Sequence, residues 1–315
     1  MELQFLGTGA GMPSKMRNTS SVVLNLSAEG EGLWLFDCGE ATQHQILHTS
    51  LKPSKISRVF ITHLHGDHIL GLPGLLSSRS FLGGEDALHI YGPVGLEEWL
   101  TTTFQLTQTH LTYQLVFHEV TDGIVFENEH FLVTAKSLRH VIPCFGYRIE
   151  QKPLQGKLLI DEAIKKGVPK GPLLKQLKDG EDVELPDGRL VLSKDVTGEP
   201  QEGFTVTILG DTRYCDEAIE LAHKADILVH EATFDLDTGE LAKDYGHSTI
   251  GDAATTAEKA EAKTLIANHI SARFMPKDIP ELLKQGKAIF PELYIAEDFA
   301  RFEWKNHTVI QLDSK

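Results

Sequence analysis

The run His63-Leu64-His65-Gly66-Asp67-His68 constrains this chain more than any other stretch. It places three imidazoles and a carboxylate within six residues, directly after the apolar run Val59-Phe60-Ile61-Thr62. A lone buried histidine is usually a satisfied core residue. Four such groups at a strand end are poor packing choices, and nitrogen and oxygen donors at one point match the needs of zinc. Gly66 permits a tight turn, so that alternate side chains converge on two points. Four donors are too few for two four-coordinate ions and too many for one catalytic ion. The rest must come from farther along. His140, Asp211 and His269 each follow an expected strand, at 131–138, 205–209 and 264–267. Strand ends on one edge of a sheet are where sites in α/β proteins gather.

With 315 residues the chain has room for one large domain or two moderate ones, and for a large core without staples. Its 41% hydrophobic and 24% charged residues exclude disorder or low complexity for the bulk. Thirty basic against 45 acidic residues leave a net charge of −15, so no global basic footprint awaits a nucleic acid. A polyanion would have to meet a local patch or bound cations. Cys38, Cys144 and Cys215 form neither a disulfide framework nor a C-x-x-C pair. Met1 to Phe5 lack the basic start of a signal peptide, and no apolar run approaches the ~18 residues that span a bilayer. These features predict a soluble, cytoplasmic protein with no membrane contact.

Expected strands lie at 3–6, 22–26, 33–36, 58–62, 88–91, 113–120, 123–126, 131–135 and 145–150, then at 205–209, 227–229 and 264–267. Expected helices lie at 41–48, 96–106, 216–224 and 249–260, the last with Ser248 or Thr249 as N-cap. Strands followed by alternating strand and helix predict a layered α/β or α+β architecture. Gly7, Gly9 and Gly11 lack the G-x-G-x-x-G spacing of a dinucleotide loop and read as a tight turn between strands. Residues 152–178 hold seven lysines and two acids, with glycine and proline throughout; residues 179–202 hold eight acids and two bases. Residues 151–200 therefore read as an insertion into a single domain spanning 1–315, the plainer alternative being a solvated loop.

His63 to His68 match the H-x-H-x-D-H signature of the metallo-β-lactamase superfamily, and His140, Asp211 and His269 fall in its ligand order. The resemblance implies an αββα sandwich holding two Zn²⁺, with Mn²⁺ a possible substitute. In it His63, His65 and His140 would hold one ion, Asp67, His68 and His269 the other, and Asp211 would bridge them. A narrower set of motifs follows: Pro13-x-Lys15-x-Arg17-Asn18, His230-Glu231-Ala232-Thr233, His247-Ser248-Thr249 and Ala296-x-Asp298-Phe299. Together these resemble the short bacterial form of the tRNase Z family. Asn268 departs from the threonine common before the last ligand. The lysine-rich insertion sits where that family carries its flexible arm.

The resemblance implies removal of the 3′ trailer from precursor tRNA by a homodimer. Two divalent ions suit in-line displacement at phosphate. Asp67 would orient the nucleophile and accept its proton. His247 would protonate the leaving oxygen with Glu231 behind it, unless both are structural neighbours of a helix cap and a strand end. Lys15, Arg17 and Asn18 would contact phosphate and base, and the resemblance gives their loop the placing of the cut. Lys165, Lys166, Lys170 and Lys175 would supply a basic surface for an RNA read by shape. The competing readings are another hydrolase of the superfamily (phosphodiesterase, thioesterase or lactonase) and a metal-stabilised RNA-binding scaffold.

Overall fold

The computed structural model of the chain describes residues 1–312. An eight-stranded sheet runs in the order Thr308–Leu312, Arg301–Lys305, Glu2–Gly7, Ser21–Leu26, Gly32–Phe36, Ile56–Phe60, Leu88–Gly92, Leu115–Glu119. A seven-stranded sheet runs Leu293–Ile295, Leu265–Asn268, Ile227–Glu231, Thr205–Leu209, Phe145–Gln151, Phe131–Ser137, Gly123–Glu127.

Strand alternation decides which side chains meet which layer. In Gly32–Phe36, Leu33 and Leu35 join a cluster with Leu72, Leu75 and Leu76 of the helix Leu72–Phe81 and with Leu96 and Leu100 of the helix Leu96–Thr107. Trp34 and Phe36 take the opposite face. There Phe36 stacks on Phe60 with centroids 4.9 Å apart, and Phe60 meets Tyr147 of the other sheet at 5.2 Å. In the second sheet Leu228, Leu265 and Ala267 pack with Ala253, Ala254 and Ala257 of the helix Ile250–Lys259 and with Leu282 of Ile279–Lys287. The layer order is αββα, as expected. Near the site the sheets are tied directly: Tyr147 Oη donates to Ile61 O at 2.6 Å, and Phe145 N–H to Thr62 O at 3.0 Å.

Each sheet has a parallel stretch. In the first it comprises Gly32–Phe36, Ile56–Phe60, Leu88–Gly92 and Leu115–Glu119; in the second, Thr205–Leu209, Ile227–Glu231, Leu265–Asn268 and Leu293–Ile295. Their carboxyl ends deliver the side chains described below.

The chain divides into two compact units. One comprises residues 1–126, 133–149 and the chain from Thr205 onward; the other comprises 127–132 and 150–204. Three strands of the seven-stranded sheet cross that boundary along the chain. The second unit has a core of its own, built from Ala163, Val168, Leu177, Val183, Leu185, Val191 and Val196. Helices Ile160–Lys165 and Pro172–Lys178 and the hairpin Val183–Glu184 with Leu190–Val191 carry it.

Several local expectations are corrected. The strand expected at 58–62 is Ile56–Phe60, because the Thr62 N–H and hydroxyl both go to the Asp37 carboxylate. The helix expected at 41–48 is one α turn, Thr42–Gln45, followed by a 3₁₀ turn, Ile46–His48; Ala41, at φ +59°, cannot belong to it. The strand expected at 113–120 shortens to Leu115–Glu119, and the helix expected at 216–224 ends at Leu221. Helices Leu72–Phe81 and Ile279–Lys287 and the last three strands were not anticipated. The glycine turn after the first strand includes a two-residue strand, Gly9–Ala10, parallel to Ile270–Ser271. A Cβ on Gly7 would lie 1.7 Å from Thr19 O, so only glycine lets the chains approach there.

Candidate functional site

Asp37 and His63 follow the first sheet's parallel strands. Asp211, Glu231 and His269 stand at or just after the ends of the second sheet's. Asp67 and His68 lie on the single turn Gly66–Ile69, His140 follows Phe131–Ser137, and His247 precedes the helix Ile250–Lys259. That helix is fixed by a reciprocal capping box between Thr249 and Asp252. Its neighbour Ser248 donates to Thr212 O at 2.6 Å.

Three sets of donor atoms each lie within 4.8 Å of one another: His63, His65, His140 and Asp211; Asp67, His68 and His269; Asp211, His247 and His269. Asp211 Oδ2 is 3.7 Å from His63 Nε2, 3.6 Å from His68 Nε2 and 3.3 Å from His269 Nε2. His65 Nδ1 lies 3.1 Å from His63 Nε2 and 3.2 Å from His140 Nε2. A tetrahedral centre with bonds near 2.0–2.1 Å has edges of about 3.3 Å. The nitrogens are thus spaced as ligands sharing an ion.

The outer ring nitrogens settle the tautomers. Thr62 gives its hydroxyl proton to Asp37, so His63 Nδ1–H donates to Thr62 Oγ1 at 2.9 Å. Thr233 gives its proton to Glu231 at 2.6 Å, so His269 Nδ1–H donates to Thr233 Oγ1 at 2.9 Å. His68 Nδ1–H donates to Asp37 Oδ2 at 2.8 Å, and His140 Nδ1–H to Gly246 O at 2.7 Å. Each of these four rings therefore turns Nε2 inward with its lone pair available for an ion. Asp37, Thr62, Thr233 and Gly246 carry this support, and sequence reasoning gave none of them a role. Asp37 had a weak signal, a carboxylate directly after an apolar strand; Thr233 stood inside a quoted motif.

Burial lowers the basicity of His63 strongly and that of His65 and His140 as well, favouring the neutral imidazole that ligation requires. His68 goes the other way: against its burial, Asp211 and Asp37 raise its basicity well above the usual range, so an ion taken at Nε2 displaces a proton that these carboxylates favour. Against their own burial, the imidazoles of His269 and His68 keep Asp67 and Asp211 well below the usual carboxylate range. Asp37, Asp67, Asp211 and Glu231 are all buried in this one region. Four carboxylates so placed require cations, and this donor set suits divalent ones.

Beside the ligand atoms, His247 Nδ1 lies 2.9 Å from Glu231 Oε1 and 3.7 Å from Asp211 Oδ2. Glu231 also accepts from Thr212 N–H at 3.0 Å and from the Thr233 N–H at 3.2 Å. Burial works against the charge on His247, but Glu231, Asp211 and Asp67 outweigh it and lift the group to about 9.

The loop expected to meet phosphate and base has a different geometry. Lys15 is exposed. Arg17 is buried and turned inward, with Nη1 on Thr8 Oγ1 at 2.7 Å and on Ala296 O at 2.5 Å. Asn18 Nδ2 donates to Glu40 O at 2.7 Å. Both side chains anchor the loop, while Lys15 at its outer face is exposed. In the second unit Lys165, Lys170 and Lys175 are exposed, Lys165 pairs with Glu162, and Lys166 pairs with Asp195.

A family profile described as Anti-Pycsar protein Apyc1 matches residues 1–152. A protein of Bacillus licheniformis named ribonuclease Z is 53% identical over 305 residues, covering 97% of this chain and 99% of its own. The crystal structure of the short form of human tRNase Z aligns with a TM-score of 0.70 at 32% identity, over 96% of this chain and 99% of that one. The metallo-β-lactamase fold protein YhfI from Bacillus subtilis shares the fold, with a TM-score of 0.67 at 21% identity, over 96% and 99% of the two chains.

Proposed function

Because this chain belongs to the ribonuclease Z family, we infer that it is a metal-dependent endoribonuclease. It removes the 3′ trailer from tRNA precursors and leaves a 3′-hydroxyl on the tRNA. The observation that carries this reading is the convergence of the ligand atoms with the His247–Glu231 pair at the carboxyl ends of strands from both sheets.

His63, His65 and His140 would hold one divalent ion, Asp67, His68 and His269 a second, and Asp211 would serve both. Mixed imidazole and carboxylate donors suit Zn²⁺, with Mn²⁺ a workable substitute. Such ions, when bound, supply Lewis-acid polarisation of the scissile phosphate and activation of the attacking water. Asp67 orients that water and takes its proton. His247, held through Nδ1 by Glu231, keeps Nε2 for the leaving ribose 3′-oxygen; as the P–O3′ bond breaks, the proton passes to that oxygen. Glu231 already accepts three hydrogen bonds from Thr212 and Thr233, so it orients the imidazole without moving itself.

The lysines of residues 152–178 capture the tRNA by its backbone, in a homodimer in which the arm of one subunit serves the other. The enzyme works in the cytoplasm, and among the described residues no helix is long and apolar enough to cross a membrane. Turnover of a tRNA precursor compared with thioesters, lactones and small phosphodiesters tests the reading. The precursor should be strongly preferred in kcat/KM; a preferred thioester or lactone would overturn the reading.

A further inference from the structure

Residues 8–18 form a loop between the first two strands of the larger sheet, and one carboxylate holds both its ends. Asp298 Oδ1 accepts from Thr8 Oγ1 at 2.7 Å. Asp298 Oδ2 accepts from the Asn18 backbone N–H at 2.7 Å and from Gln45 Nε2 at 3.0 Å. Arg17 lies beneath, joining Thr8 to the Ala296 carbonyl. Inside the loop Gly9 N–H donates to Asn18 O at 2.7 Å, and Ser14 N–H to Arg17 O at 2.8 Å. Gly11 adopts φ +70°, and its N–H donates to Asp67 Oδ2 at 2.7 Å. That same oxygen lies 3.4 Å from His269 Nε2 and 3.5 Å from His68 Nε2. One amide on a clamped loop therefore sets the rotation of a carboxylate that must present one oxygen to the imidazoles and keep the other for the nucleophile.

We propose that Asp298 is a positioning residue for hydrolysis: by clamping both ends of the 8–18 loop it holds the Gly11 N–H on Asp67 and fixes which way that carboxylate faces. This rests on the role given to Asp67 above. Without the clamp, the loop retains Arg17 but loses its bonds from Asp298 to Thr8 and Asn18. A shift of the Gly11 amide by about 1 Å takes its contact with Asp67 beyond hydrogen-bond range. A misplacement of that size in a catalytic site costs about 10²-fold in rate. The loop's outer residues Lys15 and Met16 line a groove of about 720 Å³ with Phe274, Met275 and Phe299. The segment that sets Asp67 thus also forms a wall of the surface beside it.

Asp298→Ala and Asp298→Asn test the clamp. Asparagine can turn its amide nitrogen toward Thr8 Oγ1 and keep its oxygen for Asn18 and Gln45, whereas alanine loses all three bonds. The readouts are kcat and KM on a small nitrophenyl phosphodiester, zinc affinity of the stripped protein by chelator competition, and the thermal midpoint. Asp298→Ala should lower kcat about 10²-fold with KM near wild type, and zinc affinity about tenfold, as loss of a group that orients a ligand does. Asp298→Asn should recover most of both. A lowered midpoint with unchanged kcat and zinc affinity would make Asp298 merely structural and overturn the proposal. So would equal damage by both substitutions. If Asp298→Ala does not fold, Gln45→Ala removes one of the three bonds and should give smaller losses of the same two quantities; wild-type values would overturn the clamp. Failure of the wild type on tRNA precursor would instead overturn the assigned reaction, while the zinc-affinity comparison would still decide the clamp.

Discussion

Replacing His247 by alanine should separate proton donation from everything else the site does. The fold should survive, because Glu231 keeps its bonds from the Thr212 N–H, the Thr233 N–H and the Thr233 hydroxyl and is not left as an unsatisfied buried charge. The ligand atoms should stay in place, since His140 and His269 are held by Gly246 and Thr233 rather than by His247. What disappears is a donor lifted to about 9 and therefore protonated at neutral pH. A positioned acid contributes about 10²–10⁴-fold, or about 2.7–5.4 kcal/mol at 1.36 kcal/mol per decade. Single-turnover cleavage of a tRNA precursor should fall by that factor. The same variant should cut a nitrophenyl phosphodiester within a few-fold of wild type, because nitrophenolate departs without a proton. Glu231→Gln, with His247 retained, should lose less on the precursor, and the double variant should be no worse than His247→Ala, as expected of residues acting as a unit. Equal losses on both substrates would refute the donor role and leave His247 a structural residue.

Other outcomes are accessible. Asp211→Ala should lose more metal by elemental analysis than any other single ligand variant, because its carboxylate lies within 3.7 Å of three inward-facing imidazole nitrogens; wild-type metal content would refute the shared-ligand assignment. Since His247 is raised and gives up its proton as pH increases, kcat on the precursor should fall on the alkaline side, and Glu231→Gln should move that fall to lower pH. An unmoved profile would dissociate Glu231 from the donor. Changing Lys165, Lys166, Lys170 and Lys175 to Glu should raise KM for the precursor and flatten its salt dependence by about 0.7–0.9 in log–log slope per lost phosphate contact, sparing small diesters. Normal precursor cleavage at moderate salt would refute capture by this segment.

The ligand atoms were legible because metal chemistry needs scarce residue types, and a chain that places His63, His65, Asp67 and His68 together after a strand has few other uses for them. Their supports were not. A threonine hydroxyl or a backbone carbonyl, such as Thr62, Thr233 or Gly246, carries no signature until the fold shows where its lone pair points. The succession of strands and helices made a layered α/β or α+β fold legible, while the αββα order came from the resemblance; ends were misplaced where a side chain outbid the ladder, as Asp37 does at Thr62. Arg17 was read as a phosphate contact because its guanidinium suits phosphate and the resemblance gives its loop the placing of the cut. Its partner Ala296, 279 positions away, turns it inward. In the lysine-rich segment charge and glycine dominated the reading and hid the spacing of Leu173, Leu174 and Leu177, which pack in the second unit's core.

The central claim is tested most directly by incubating the purified protein with a tRNA precursor labelled at its 5′ end, with and without a zinc chelator, and mapping the cut. The account predicts a single cleavage at the 3′ side of the tRNA body, a 3′-hydroxyl on the tRNA and a 5′-phosphate on the trailer. Cleavage should be abolished by the chelator and restored by added Zn²⁺ or Mn²⁺. An intact precursor in metal-replete protein, or a cut that leaves a 3′-phosphate on the tRNA, would contradict it.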